Sequence, residues 1–346
     1  MTERVSIAPD ASAPASTFPR LMVDFSAWMR IRNFSPCTIT QREQAVGMFA
    51  AWLADRSITQ PIQVTRPIIE AYQRALTQHR KANGQLMAVA GQYQRLRGIA
   101  VFFSFLHRRG FIPANPAADI EYPRLFRSLP FHLTHDETAR VLAVPDVDGP
   151  ERVHRSLPDR LVALRDRTFL EVLYGTGLRR IEAIRLRIDD LDPARLLVRV
   201  TRGKGGKDRV VPITARAVVW IERYQAEARM LWVRDVGEPR LFLNSDGTPW
   251  AADAAAQRVR ALLNAAGITK PGACHLFRHT FATHLMENGC ELRLIQGMLG
   301  HAGPEMTSRY AQVSARHLLA ALALYHPAAK DGGAPPDAAS APDAVG

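Results

Sequence analysis

The chain has 346 residues, a formal net charge of +12 and 47% apolar residues, too long for one small domain and apolar enough for two cores. A charge of that sign and size favours a polyanionic partner, either nucleic acid or an anionic membrane surface, and double-stranded DNA is the one expected. No stretch approaches the roughly eighteen apolar residues of a membrane span, and no export signal opens the chain, so a cytoplasmic protein with no membrane partner is expected.

Lysine occurs only at 81, 204, 207, 270 and 330, so nearly all the positive charge is arginine. Arginine forks onto phosphate with two parallel hydrogen bonds, which suits a nucleic-acid partner. The three cysteines (Cys37, Cys274, Cys290) have neither CxxC nor zinc spacing and fit a reducing compartment.

In chain order, residues 1–17 are small and polar and are expected to be disordered. Residues 18–110 read as an all-α unit. LMVDFSAWMRIR has apolar residues at helical spacing, and Ser35-Pro36 reads as the cap and first turn of a helix through Ile39, Ala45, Met48, Phe49 and Trp52. RPIIEAYQRALTQHR and GQYQRLRGIAVFFSFLHRRG give two more helices, the last ending at Gly110. This stretch holds thirteen Lys or Arg against four Asp or Glu, and such a unit can clamp a duplex. Residues 111–132 carry four prolines and no helical period, and read as a linker.

A second domain is expected over 133–326, mainly α with a small β-hairpin sheet. It opens at Thr134-His-Asp-Glu137, a capping box. A helix over about 160–174 ends at Gly175-Thr-Gly177, and the next carries Arg179. LLVRVTRGKGGKDRVVPI alternates as two strands around a glycine-rich turn with Lys204 at its tip. Thr214 caps a helix through Tyr224, and RLFLNSDGTPW reads as a further short strand with an Asp-Gly turn. Residues 252–325 read as helical, broken at Gly267, Gly289 and Gly300, and 327–346 as a disordered tail.

The chemistry concentrates in the run from His275 to Tyr310. His275 and Arg278 are three apart on a predicted helix and so share a face. When a nucleophile adds to a phosphodiester, negative charge grows on the non-bridging oxygens and fixed cationic donors stabilise it. Arg179 supplies a second guanidinium, and Gly300 turns His301 inward. Tyr310 is a candidate nucleophile once cations or a histidine make its phenol usable at neutral pH. The leaving sugar oxygen needs a proton, and Lys204 on its hairpin is a candidate general acid. GKGGK lacks the Walker spacing, and His275, His279 and His284 do not form HExxH, so neither a metal nor any other cofactor is expected.

The ordered set Arg179, Lys204, His275-x-x-Arg278, His301 and Tyr310 resembles the tyrosine recombinase and phage integrase family, and the Xer-like members most. GTGLR, GKGGKDRVVP, HLFRHTFATHL and LGHA with its downstream tyrosine carry the likeness, which spans roughly 18–325. It implies a helical core-binding domain, including SPCTI at 35–39, joined by a linker to an α+β catalytic domain. It implies site-specific recombination through a 3′-phosphotyrosyl intermediate, serving integration, excision or resolution of DNA elements. In that scheme Tyr310 is the nucleophile, and Arg179, His275, Arg278 and His301 hold the scissile phosphate. Lys204 protonates the leaving 5′-oxygen, and Glu182 orients Arg179. The family acts as four protomers on two duplexes, some members with a related recombinase as partner. The apolar helix RHLLAALALY at 316–325 then docks either on a neighbour or on its own domain. Two departures stand out: Pro304-Glu305-Met306 replaces a Ser/Thr-rich stretch, and Gly297 replaces a polar helix former. The competing readings are a non-catalytic DNA-binding accessory or regulatory protein on the same scaffold, which has no use for a tyrosine nucleophile, and a topoisomerase acting alone.

Overall fold

The computed structural model describes residues 17–81, 83–125, 131–149, 156–201, 208–235, 237–300 and 315–330. The chain divides into two compact units, Met1–Ser128 and Leu129–Gly346.

Among the described residues, the first unit is built on four α-helices: α1 (Phe18–Ile31), α2 (Pro36–Ala54), α3 (Arg66–Gln78) and α4 (Val89–Arg108). The Ser35-Pro36 start is present: Ser35 Oγ accepts from the Thr38 amide at 3.2 Å, with Pro36 in the first turn. The core is aromatic, with Phe25 and Phe102 packed edge to face at 5.3 Å between centroids, and Phe49 against Tyr72 at 4.8 Å. Ile112, Ala117 and Ile120, beyond α4, are buried in this same core. At its rim, guanidinium groups lie over rings, Arg56 over Trp52 at 3.7 Å and Arg42 over Phe34 at 4.5 Å.

The second unit packs around α6 (Leu157–Thr176), buried almost continuously from Ala163 to Thr176. Before it lies α5 (His135–Ala143), opened by the expected box: Thr134 Oγ1 accepts from the Glu137 amide and Glu137 Oε2 from the Thr134 amide. After it come α7 (Arg180–Ile184) and an antiparallel sheet of β1 (Leu191–Asp192), β2 (Leu197–Val200) and β3 (Arg209–Pro212). The pairing sets Val198 opposite Val211 and Val200 opposite Arg209. The expected hairpin is there, and β1 is an addition to it. Lys204 and its turn fall outside the described residues.

The helix expected to stop at Tyr224 runs on: α8 (Ala215–Tyr224) passes through a π-helical turn, Gln225–Arg229, into α9 (Met230–Trp232). Ala228 and Trp232 are buried, and the Arg229 guanidinium donates to the carbonyls of Glu238 and Arg240, so tertiary burial carries the helix beyond its local signal. Residues 240–250 form isolated bridges, Arg187 with Arg240 and Leu243 with Pro249, rather than the expected strand.

Four further helices cover much of the stretch expected to be helical: α10 (Ala252–Ala265), α11 (Cys274–Glu287), α12 (Leu292–Leu299) and α13 (Ala315–Tyr325). Residues 268–273 are not helical, because Gly267 and Gly272 take positive φ and Arg260 binds the loop carbonyls of Ile268, Lys270 and Gly272. A second apolar cluster forms where α11, α12 and α13 meet, through Phe281, Leu285, Ile295, Leu299, Leu318 and Leu322. The helix at 316–325 thus docks on its own unit. At Gly297 a Cβ would sit 3.2 Å from Leu318 Cδ2, so a side chain there would have to push that methyl aside by a few tenths of an ångström. The tail is seated further than expected. Pro327–Lys330 form a one-turn helix, α14, with Ala328 buried and its amide donating to His326 Nδ1.

Candidate active site

α6 ends because Gly177 takes the left-handed conformation at φ 62°. The reversal places Arg179 at the N-cap of α7. A Cβ at Gly177 would lie 2.6 Å from Phe281 Cδ1 and 2.9 Å from Leu299 Cδ2, so only glycine lets α11 and α12 approach the turn this closely.

Arg278, on α11, closes that junction. Its guanidinium donates to the Gly177 carbonyl at 2.8 Å and to the Leu299 carbonyl at 2.6 Å, gripping the two glycine turns that precede Arg179 and His301. Arginine has five N–H donors and two are spent here, leaving others for an anion. Burial first, then the charge of Arg179, lowers the Arg278 pKa to about 10, so it stays cationic at neutral pH.

Glu182, one turn into α7, is the carboxylate of the site. Its Oε2 accepts from the Arg179 amide at 2.9 Å and its Oε1 from Arg179 Nη1 at 2.9 Å. Arg209, on β3, forks onto the same carboxylate, Nη1 to Oε1 at 2.9 Å and Nη2 to Oε2 at 2.8 Å. Burial alone would raise the Glu182 pKa, but the hydrogen bonds from Arg209 and Arg179 outweigh it and hold the group at about 2. One carboxylate therefore answers three guanidinium groups, and the cluster keeps a net positive charge.

His275 stands one turn before Arg278 on α11. Partial burial of its ring, then the neighbouring His279 and the charges of Arg278, Arg180 and Arg179, depress its pKa. A neutral imidazole at physiological pH can accept a proton as well as donate one.

Of the six residues expected to act, the structure brings together Arg179, His275 and Arg278, with Glu182 against Arg179 as expected. Lys204, His301 and Tyr310 lie outside the described residues. Sequence reasoning missed Arg209. Its signal was the strand period, which sets it on the same side as the buried Val211, where a cation needs a buried acid.

A second cluster, His135, His284 and Glu287, brings metal-ligating atoms within 4.8 Å of one another. Both ring nitrogens of His284 are already engaged, Nδ1 with Tyr174 Oη and Nε2 with the Leu133 carbonyl, each at 2.9 Å. The His135 ring stacks on its face, with centroids 4.0 Å apart. Stacked rings do not aim their in-plane lone pairs at one ion, so the arrangement fits a structural clasp between Leu133, α6 and α11.

Residues 133–317 match the phage integrase family model. The tyrosine recombinase XerC 2 of Ralstonia nicotianae is 39% identical over 299 residues, covering 86% of this chain and 83% of that protein. Among solved structures, the XerH recombinase bound to its difH substrate before cleavage superposes with a TM-score of 0.61 at 20% identity, over 84% of this chain and 81% of that one. A lambda integrase tetramer bound to a Holliday junction has a TM-score of 0.61 at 15% identity, over 85% of this chain and 77% of that one, and at such identities these two likenesses speak for the fold. The matched residues and the XerC relative together show that this chain belongs to the phage integrase family, as a Xer-like tyrosine recombinase.

Proposed function

We propose that the chain breaks and rejoins DNA strands at specific sites through Tyr310, on a phosphate held by Arg179, Arg278, His275 and His301. The clustering of Arg179, braced on Glu182, with Arg278, held on the Gly177 and Leu299 carbonyls and close enough to feel the Arg179 charge, carries this reading. It leaves surplus positive charge and unspent N–H donors beside a neutral histidine, which is what a phosphodiester needs as it gains a fifth oxygen. His275 takes the phenol proton as the Tyr310 oxygen bonds to phosphorus, the bond to the 5′-oxygen breaks, and Lys204 gives that oxygen its proton. The product is a 3′-phosphotyrosyl ester and a free 5′-hydroxyl. The 5′-hydroxyl of a partner duplex then reverses the step, giving its proton back to Lys204 while His275 reprotonates the freed tyrosine. Phosphoester energy is conserved throughout, so the balance calls for neither ATP nor a metal.

The helical unit over 18–110, extended by Ile112, Ala117 and Ile120 in its core, grips the duplex, and 133–326 performs the chemistry. Two duplexes engage four protomers, all copies of this chain or paired with a related recombinase. The DNA-bound state of the XerH structure and the tetramer of lambda integrase support that assembly.

The test is adduct formation on duplex DNA in a chelator without nucleotide. The wild-type chain should form a covalent complex stable to denaturant, and Tyr310→Phe should bind the same duplex with no adduct. An adduct of undiminished yield from Tyr310→Phe refutes the nucleophile.

A further inference from the structure

We propose that Arg209 is a positioning residue for strand cleavage: its fork on Glu182 fixes the carboxylate that aims Arg179 and ties the strand pair carrying the Lys204 turn to the phosphate site. The proposal rests on the reading of Arg179 as a phosphate-binding residue.

Four hydrogen bonds converge on Glu182, two from Arg179 and two from Arg209, so every lone pair of the carboxylate is in use. The two arginines compete for nothing and brace each other through it. Remove Arg209 and Glu182 keeps only the two bonds from Arg179, with half of its lone pairs buried and unanswered, and Arg179 loses the far wall of its support.

Arg209 is itself fixed on three sides. Its backbone is in the ladder of β3, opposite Val200. Its guanidinium is forked onto Glu182. Its third side is the α12 terminus, where a Cβ at Gly300 would come 2.7 Å from Arg209 Nε and 3.0 Å from its Cζ. Arg209 Nε is buried and makes no hydrogen bond among the described residues, so the chain leading into His301 passes a donor that it does not use there. A side chain so placed touches the supports of three predicted catalytic parts: Arg179 through Glu182, the strand leading to Lys204, and the glycine before His301. Neither arginine nor lysine elsewhere in the described part of the second unit pairs with Glu182.

The alternative is a merely structural ion pair that stabilises the fold and leaves the reaction alone. The two roles separate in single-turnover kinetics. The full-length chain is given a duplex that it selected for itself from a random pool, and the rate of covalent adduct formation is measured at saturating DNA, with DNA affinity and melting temperature alongside. A positioning role predicts that Arg209→Lys, which keeps the charge and loses the fork, slows the saturated rate by about 100-fold, the usual effect of a misplacement near 1 Å. DNA affinity stays at its wild-type value, and the melting temperature falls because a buried carboxylate loses its fork, so the rates are compared well below the melting temperature of every variant. It also predicts that Arg209→Lys combined with Glu182→Gln is no slower than Glu182→Gln alone, because both changes cut one linkage. Arg209→Ala serves as a second variant and should be at least as slow. A saturated rate equal to wild type in Arg209→Lys overturns the proposal, as do losses that multiply in the double variant. Arg179→Ala is the control for the underlying reading: if it cleaves as fast as wild type, Arg179 holds no phosphate and the proposal falls with that reading.

Discussion

Glu182 shows what one side chain does when its surroundings are complete. Its carboxyl titrates near 2 when folded and near 4.5 when free, so the depressed pKa contributes stability above pH 4.5 that is lost as pH falls through about 2. The side chain is only 6% exposed, so solvent screening takes little away. On the order of 3 kcal/mol is at stake. Denaturant titration of the wild type from pH 6 to pH 2.5 should lose more stability than the same series on Glu182→Gln, which has no proton to bind. Equal losses would mean that the ion pairs are broken in solution. At neutral pH the variant should also be the less stable, because an amide NH₂ then faces guanidinium donors that a carboxylate accepted.

At the scale of elements, much of the local grammar was legible. Ser35-Pro36, Thr134 with Glu137, the Gly177 stop and the Thr214 cap are short-range signals, and each sits where its spacing placed it. What was not legible is long-range. β1 is two residues whose strand character comes from Val198 and Leu197 across the sheet. The turn past Tyr224 depends on the carbonyls of Glu238 and Arg240. Arg209 meets an acid 27 residues upstream, and no local pattern announces that pairing. The site was legible in its residue types and order, and not in its bracing. Gly177 is the element-level joint between these scales. Gly177→Ala forces a side chain into the left-handed region and against Phe281 and Leu299, and should cost about 1–3 kcal/mol. It also shifts the carbonyl that Arg278 holds. Thermal unfolding should show the loss, and adduct formation should fall further than stability alone accounts for. A variant as stable and active as wild type would remove the close approach of α11 and α12 from the account.

For the whole molecule, the governing quantity is charge. A surplus of twelve cations, nine of them over 18–110, means that binding to duplex DNA releases counterions. A contact made by that helical unit with about six phosphates predicts a slope of log K against log salt near −5. Deleting residues 1–128, the whole first unit, should reduce that slope by well over half. If the slope is unchanged by the deletion, the helical unit is not the clamp, and the second unit carries the affinity alone.

In the proposed reaction Tyr310 becomes esterified to the 3′-phosphate of a cleaved strand. Digestion of the denatured covalent complex with protease and nuclease, followed by mass spectrometry, identifies the residue that keeps the nucleotide. A single modified peptide is expected, with the nucleotide on Tyr310 and the phosphate joined to the 3′ side of the break. A nucleotide on any other residue, or a phosphate joined to the 5′ side, contradicts it.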